Sequence, residues 1–244
     1  MSENTKAPVV YLQWDSDFFQ KRIGRVTSNH LDRNEALLVN LWAAENKMDC
    51  LYYLSDGSRD SSPWEAEKDG YHLMDLRVTF FIDLERADLE EENPLKIEIV
   101  SAQDLPDVKR MAGQFHGLSR FFADPHFDRE LCQKMYEIWI ERDATQPERF
   151  LWVNKQDDCV SGYTSASIDR LSNSAEIGLV GVNAKFRGQG IGRKLQVAVL
   201  RELKQLGMRQ VEVVTQGRNI AAQNLYTRSG YALKSIDLWY HKWF

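Results

Sequence analysis

Polar and apolar positions alternate along this chain in short blocks, and the period changes from block to block. Val9 to Trp14 has the pattern of a strand, whereas Ala36, Leu37, Val39, Leu41 and Trp42 recur at helical spacing within Arg33–Asn46. Leu51–Leu54 is a short strand-like run ended by Asp56-Gly57, and 58–64 reads as a loop. The clearest period of two follows Gly70, where Met74, Leu76, Val78, Phe80 and Ile82 alternate within Tyr71–Leu84, as a half-buried strand requires. Charge then takes over from Asp88 to Asn93, with Pro94 behind it. A solvated bend there divides the chain into a small α/β N-terminal domain over residues 1–94 and a second domain over 95–244.

In the second unit Lys96–Val100 is a strand, and Asp104–Phe115 and Arg129–Arg142 are helix candidates. Strands follow over Arg149–Asn154, Gly162–Ile168 and Ser174–Val182. A glycine-rich turn leads into a helix from Arg193 to about Leu206, then a strand over Gln210–Thr215. A short helix from about Asn219 to Ser229 is closed by Gly230, and Leu238–Trp243 is a last strand. The order predicts an α/β class with a mixed sheet, largely antiparallel in its front half, flanked by helices.

Composition narrows the function. Of 244 residues, 43% are hydrophobic and 11% aromatic, enough for a globular core. A net charge of −5 with scattered basic residues argues against nucleic acid as a partner. No apolar run approaches the ~20 residues that span a bilayer, and Met1–Lys6 lacks the apolar core of a signal peptide. Cys50, Cys132 and Cys159 are far apart, and the five histidines form no metal-ligand spacing. The expectation is a cytoplasmic protein with reduced thiols, no metal and no membrane partner.

The strongest chemical signal is Arg187-Gly188-Gln189-Gly190-Ile191-Gly192, lying between a strand and a helix start. A glycine turn there leaves backbone N–H groups unshielded at the positive end of a helix dipole, which suits a pyrophosphate, and Arg187 adds a fixed positive charge. Glycines that merely supply positive φ are the plain alternative. A P-loop is excluded because Gly192 is followed by Arg193-Lys194-Leu195. A dinucleotide fingerprint would need glycine at 193, although Glu212 stands where a ribose-binding acid would.

This order of motifs resembles the GCN5-related N-acetyltransferase superfamily over roughly residues 96–244. The turn matches that family's Gln/Arg-x-x-Gly-x-Gly/Ala signature. Asn219 to Tyr231 is similar to its Asn-x-x-Ala-x-x-Leu-Tyr…Gly-Phe/Tyr element. Beyond the superfamily, Leu12–Phe19, Ser119–Asp124 and Tyr136-x-x-Trp139-Ile140 resemble the dTDP-4-amino-sugar N-acetyltransferases of surface-polysaccharide synthesis, whose glycine after the Phe-Phe pair is Gln20 here. The resemblance implies that fold, preceded by a small α/β domain, and acetyl transfer from acetyl-coenzyme A to a dTDP-linked amino-deoxy sugar, of the 4-amino-4,6-dideoxyhexose type. A homodimer is part of the same implication.

It also implies site residues. Leu179, Val180, Val182, Arg187, Gly188, Gln189, Gly190, Ile191, Gly192, Arg193, Asn219, Ala222 and Asn224 would hold the coenzyme. An N–H at Leu179 or Val180 would polarise the thioester, and Tyr226 would be the general acid. Ser119, Arg120, Phe121 and Asp124 would recognise the acceptor, Arg120 at its diphosphate and Phe121 stacked on thymine. Glu176, Asp124 and His126 are open candidates for the base. Other amine acceptors (a protein N-terminus, a polyamine, an antibiotic) and a non-catalytic acyl-coenzyme A sensor are the competing functions.

Overall fold

Local sequence explains where most elements begin. Asp32 caps one helix in a reciprocal capping box with Glu35, Asp128 caps another through the amides of Glu130 and Leu131, and Asn219 caps a third through Ala222. The computed structural model describes residues 8–58, 61–90 and 93–244. The first half contains β1 (Val9–Tyr11), α1 (Gln13–Phe19), β2 (Ile23–Val26), α2 (Arg33–Glu45), β3 (Cys50–Asp56), α3 (Ser61–Lys68) and β4 (His72–Asp83). After a segment without helix or strand come β5 (Glu98–Ile99), α4 (Leu105–Phe115), α5 (Arg120–Ala123), α6 (Arg129–Thr145), β6 (Arg149–Gln156), β7 (Cys159–Asp169) and β8 (Ser174–Val182). A 3₁₀ turn (Ala184–Phe186) then leads to α7 (Ile191–Gln205), β9 (Gln210–Gln216), α8 (Ile220–Arg228) and β10 (Ala232–Trp243).

Several elements differ from the sequence pattern. The strand expected over Val9–Trp14 stops at Tyr11 and becomes α1, where Trp14 and Phe18 stack 5.0 Å apart at i,i+4 spacing. The expected loop at 58–64 is partly α3, held by Ser62 and Ala66, which are buried one turn apart. On α2 the buried positions are Ala36, Val39 and Ala43, while Leu37 and Leu41 are 56% and 62% exposed. The last strand begins at Ala232 rather than Leu238, because β4 pairs with its first half.

The strands form one sheet in the order β1-β2-β3-β10-β4-β9-β8-β7-β6-β5. Among these pairs only β2–β3 and β8–β9 are parallel. The two sequence units on either side of residue 94 are interleaved in it. β10, the last strand, lies between β3 and β4 of the first unit, and β4 pairs with β9 of the second. The bend between the units is itself anchored, since Leu84 and Leu89 are buried in the core under α7 and α8.

Strand alternation sorts the side chains onto two faces. Val78, Phe80, Ile82, Val211 and Val213 pack against Leu195, Val199 and Tyr226 of α7 and α8. On the opposite face Tyr52 and Trp239 belong to the core built on α1, α4, α5 and α6. Among the described residues no helix is long and apolar enough to cross a membrane.

Candidate active site

A break in the sheet creates the site. The parallel register of β8 and β9 runs only from Ser174–Gln210 to Ile177–Val213. Beyond it the register of β8 continues with β7, and that of β9 with β4. The opening leads into a cleft of about 650 Å³, lined along β8 by Gly178 to Val182 and across it by Val214, Thr215 and Gln216. Phe115, His116, Tyr136 and Trp139 contribute further lining.

The polarity of β8 in the gap follows from alternation. Leu179 N–H donates to Ser165 Oγ at 2.9 Å, which points it at β7. Successive strand amides point to opposite sides, so the N–H of Val180, and that of Val182 after it, point into the gap. This narrows the pair expected at the thioester, because the Leu179 amide is already used. Gly181 has no room for a side chain: a Cβ there would sit 2.3 Å from the Tyr163 ring. That ring is anchored by its hydroxyl, 3.0 Å from His116 Nε2.

At the far end lies the glycine turn. Gly188 (φ 78°) and Gly190 (φ 76°) are both left-handed, and Gly190 is the N-cap of α7 with no side-chain cap. The first-turn amides of a helix have no acceptor within it, and here that end faces the cleft. Arg187 bonds Val182 O at 3.1 Å and lies over the Phe115 ring at 4.6 Å. Of the coenzyme-binding residues expected, Gln189 alone does not line the cleft; it is exposed at the tip of the turn.

Tyr226 closes the inner end. It is 4% exposed, its hydroxyl has no hydrogen-bond partner among the described residues, and burial pushes its phenol well above the ordinary range. It is thus a protonated donor left unpaired among the described residues. Asn219, Ala222 and Asn224 line the same wall, Asn219 also capping α8 through Ala222 N at 3.2 Å.

The residues expected at the acceptor end lie outside the cleft lining and in two environments. Phe121 is 4% exposed among Phe19, Tyr52, Phe127 and Trp139. A ring so enclosed has no free face for thymine, which corrects that expectation. Arg120 is half-buried, with its guanidinium over Tyr52, Phe121 and Trp239 at 4.1, 4.1 and 4.5 Å. Its Nη1 lies 2.7 Å from His241 Nε2, while His241 Nδ1 lies 2.6 Å from Asp124 Oδ2. Burial, helped by the charge of Arg120, lowers the His241 pKa to about 4, so a neutral imidazole passes the orienting effect of Asp124 to Arg120. Burial alone would raise Asp124, but bonds from His241, His126 and Trp243 hold it well below the carboxylate range. Ser119 is buried, and its hydroxyl faces that of Tyr136.

None of the three base candidates faces the cleft lining. Glu176 is exposed at the paired end of β8; Asp124 is committed to His241 and Trp243; His126 bonds Asp124 and stacks on Trp243 at 4.5 Å. Sequence reading passed over His116, Tyr52 and His241. His116 is a lone histidine at a helix end, and the other two look like alternating strand residues, so no local signal marked them.

Residues 115–231 match the model of the Acetyltransferase (GNAT) family. The chain is 30% identical over 118 residues to a mycothiol acetyltransferase of Nocardiopsis dassonvillei, a stretch covering 46% of this chain and 34% of that protein. It is 28% identical over 127 residues to the spore coat polysaccharide biosynthesis protein SpsD of Bacillus subtilis, covering 51% of this chain and 43% of that one. The chain therefore spans less than half the length of these relatives. Among solved structures, a conserved protein of unknown function from Staphylococcus epidermidis aligns over 99% of this chain and 92% of its own (TM-score 0.71, 17% identity). A GCN5-related N-acetyltransferase from Sphaerobacter thermophilus aligns over 96% and 75% (TM-score 0.66, 17% identity). These likenesses concern the fold.

Proposed function

We propose that this chain is a GNAT-type acetyltransferase that transfers an acetyl group from acetyl-coenzyme A to a primary amine, a reading supported by the family match over residues 115–231 and by the likeness in fold to a GCN5-related N-acetyltransferase. The observation that carries the reading is the gap between β8 and β9, with a donor-rich glycine turn at one end and the unpartnered Tyr226 hydroxyl at the other. Bound there, the coenzyme supplies the acetyl group as an activated thioester. The turn from Gly188 to Gly192, with Arg187, holds pyrophosphate oxygens. The Val180 amide polarises the acyl carbonyl, and Tyr226 donates a proton to the departing sulfur. The lining residues Asn219, Ala222 and Asn224 complete the wall. Tyr226 argues against a mere sensor, because binding alone needs no proton donor at that depth.

For the acceptor, the reading extends to a dTDP-linked amino-deoxy sugar of the 4-amino-4,6-dideoxyhexose type, used in surface polysaccharide synthesis. Two features support it: Arg120 is pre-oriented by His241 and Asp124, as recognition of a phosphate requires, and one relative is named for spore coat polysaccharide biosynthesis. With Phe121 enclosed, Tyr136 and Trp139 are the rings that line the cleft and can stack on a base or sugar. A cytoplasmic setting and a homodimer belong to the same proposal. The relatives named mycothiol acetyltransferase favour a second reading, with a mycothiol-type acceptor.

Thiol release from acetyl-coenzyme A, measured against dTDP- and UDP-amino sugars, mycothiol-type amines, polyamines and peptides, tests both. Turnover confined to dTDP-amino sugars is the expected outcome. Turnover confined to another amine replaces the acceptor, and coenzyme binding with no turnover removes the enzyme reading.

A further inference from the structure

We propose that Arg142 and Arg149 hold a phosphate group of the acceptor, in a pocket that adjoins the cleft where β8 and β9 part. This rests on the acetyl-transfer reading and deepens it, by naming where the acceptor's negative charge is received.

The pocket comes from the same break in the sheet. Its volume is about 250 Å³, and Trp139, Gly178, Leu179 and Val214 line both it and the cleft. Gly178 and Val214 are the first residues beyond the last parallel pair, Ile177 and Val213. Gly178 stands two residues before Val180, about 7 Å along an extended strand. A group held here therefore lies about the span of a sugar ring, with its substituents, from a thioester at the Val180 amide. The glycine turn, which takes the coenzyme's pyrophosphate in this reading, is at the other end of the cleft, so an anion in this pocket belongs to the acceptor.

One wall of the pocket is an ion cluster. Arg142 and Asp143 are neighbours in the last turn of α6, and Arg149 is the first residue of β6. Asp143 is 3% exposed, and its Oδ1 accepts from Arg142 Nε at 3.1 Å and Nη2 at 3.0 Å, and from Arg149 Nη1 at 2.8 Å. A Cβ on Gly178 would lie 2.6 Å from Ser165 Oγ and 3.4 Å from Asp143 Oδ2. The carboxylate thus sits against the β8 backbone at the opening, where only glycine fits.

The cluster holds more positive charge than its carboxylate needs. One guanidinium neutralises a buried carboxylate, and Arg149 alone ties β6 to α6. Arg142 adds a second cation to the same oxygen. The two side chains stay 38% and 30% exposed and line the pocket. Asp143 fixes their inner edges, while Arg142 Nη1 and the Nε and Nη2 of Arg149 have no partner among the described residues. Guanidiniums already fixed in place, with donors left open, lose little freedom on meeting a phosphate. The other carboxylate in the lining is Glu176, which is exposed, so solvent screens it. Arg120 lines neither space and is covered by Tyr52, Phe121 and Trp239, which leaves it to another part of the acceptor.

Inorganic pyrophosphate, titrated by calorimetry into the protein saturated with coenzyme A, probes the pocket with the glycine turn already filled. It should bind the wild type, and Arg142→Gln and Arg149→Gln should each weaken it about 10-fold, the loss of one charge-assisted contact. Glu176→Gln should instead tighten it about twofold. Arg142→Gln leaves the tie between β6 and α6 in place and carries the test should Arg149→Gln melt early.

Turnover separates recognition from support of the fold. On the dTDP-linked amino sugar, Arg142→Gln should raise the acceptor KM about 10-fold, with kcat and the KM for acetyl-coenzyme A held. On the same amino sugar without its nucleotide, which carries no phosphate, the variant should match the wild type. No pyrophosphate binding by the wild type, binding unchanged in both arginine variants, or equal loss on both sugars overturns the proposal and leaves acetyl transfer standing. Pyrophosphate binding that depends on Arg142, with no amine acetylated, removes the transfer reading instead, and the acceptor with it.

Discussion

The two ends of the cleft are built in opposite ways. The proposed coenzyme end comes from one continuous stretch: Gly178–Val182 on β8, the glycine turn, the start of α7, β9 and α8 as far as Tyr226. The proposed acceptor end, outside the cleft lining, is assembled from Tyr52 on β3, Ser119-Arg120 and Asp124 at α5, and Trp239 and His241 on β10. A ligand common to many enzymes can be held by backbone amides, which need only a local turn and a helix end. A particular acceptor needs side chains converging from several directions, and here the interleaving of β10 between β3 and β4 brings them together.

The comparison breaks first at Phe121, placed in the core rather than at the ligand. Phe121→Ala should cost about 3–5 kcal/mol in denaturant unfolding, as for a large ring deleted from a packed core. A variant that kept full stability but lost nucleotide-sugar affinity would return Phe121 to the acceptor. At the coenzyme end, Tyr226→Phe should lower kcat by about 10²- to 10³-fold with little change in KM for acetyl-coenzyme A. Because the hydroxyl has no partner among the described residues, the melting temperature of the variant should match the wild type; a large drop would make Tyr226 a structural residue. The smallest effect sharpens the acceptor end. Arg120→Lys keeps the charge but loses the planar fork, and should raise the acceptor KM about 10-fold while sparing coenzyme affinity. Equal loss at both ligands would mean that Arg120 supports the fold as a whole.

Legibility in the sequence follows the same division. The period of two from Met74 to Ile82 and the helical spacing within Arg33–Asn46 marked their elements, because those signals act within a few residues. Gly188 and Gly190 stood out because left-handed φ favours glycine. The Trp14–Phe18 stack hid α1 inside a strand-like pattern, and Leu37 and Leu41 suggested the wrong face of α2. His241 was unreadable. On the sequence it is the polar member of an alternating strand, the ordinary mark of a solvent-facing position.

The sequence by itself determined the donor-rich turn, the helix behind it and the tyrosine one helix further on, since backbone conformation and hydrogen-bonding capacity are local properties. Only the tertiary structure decided that β8 and β9 part after Ile177 and Val213, that the Leu179 amide is taken by Ser165 while that of Val180 faces the gap, and that Phe121 is enclosed. It also brought Tyr52, Arg120 and His241 together from β3, α5 and β10. Those outcomes depend on strand order and burial, which are set by contacts between separate elements, from 14 positions apart for Leu179 and Ser165 to 121 for Arg120 and His241.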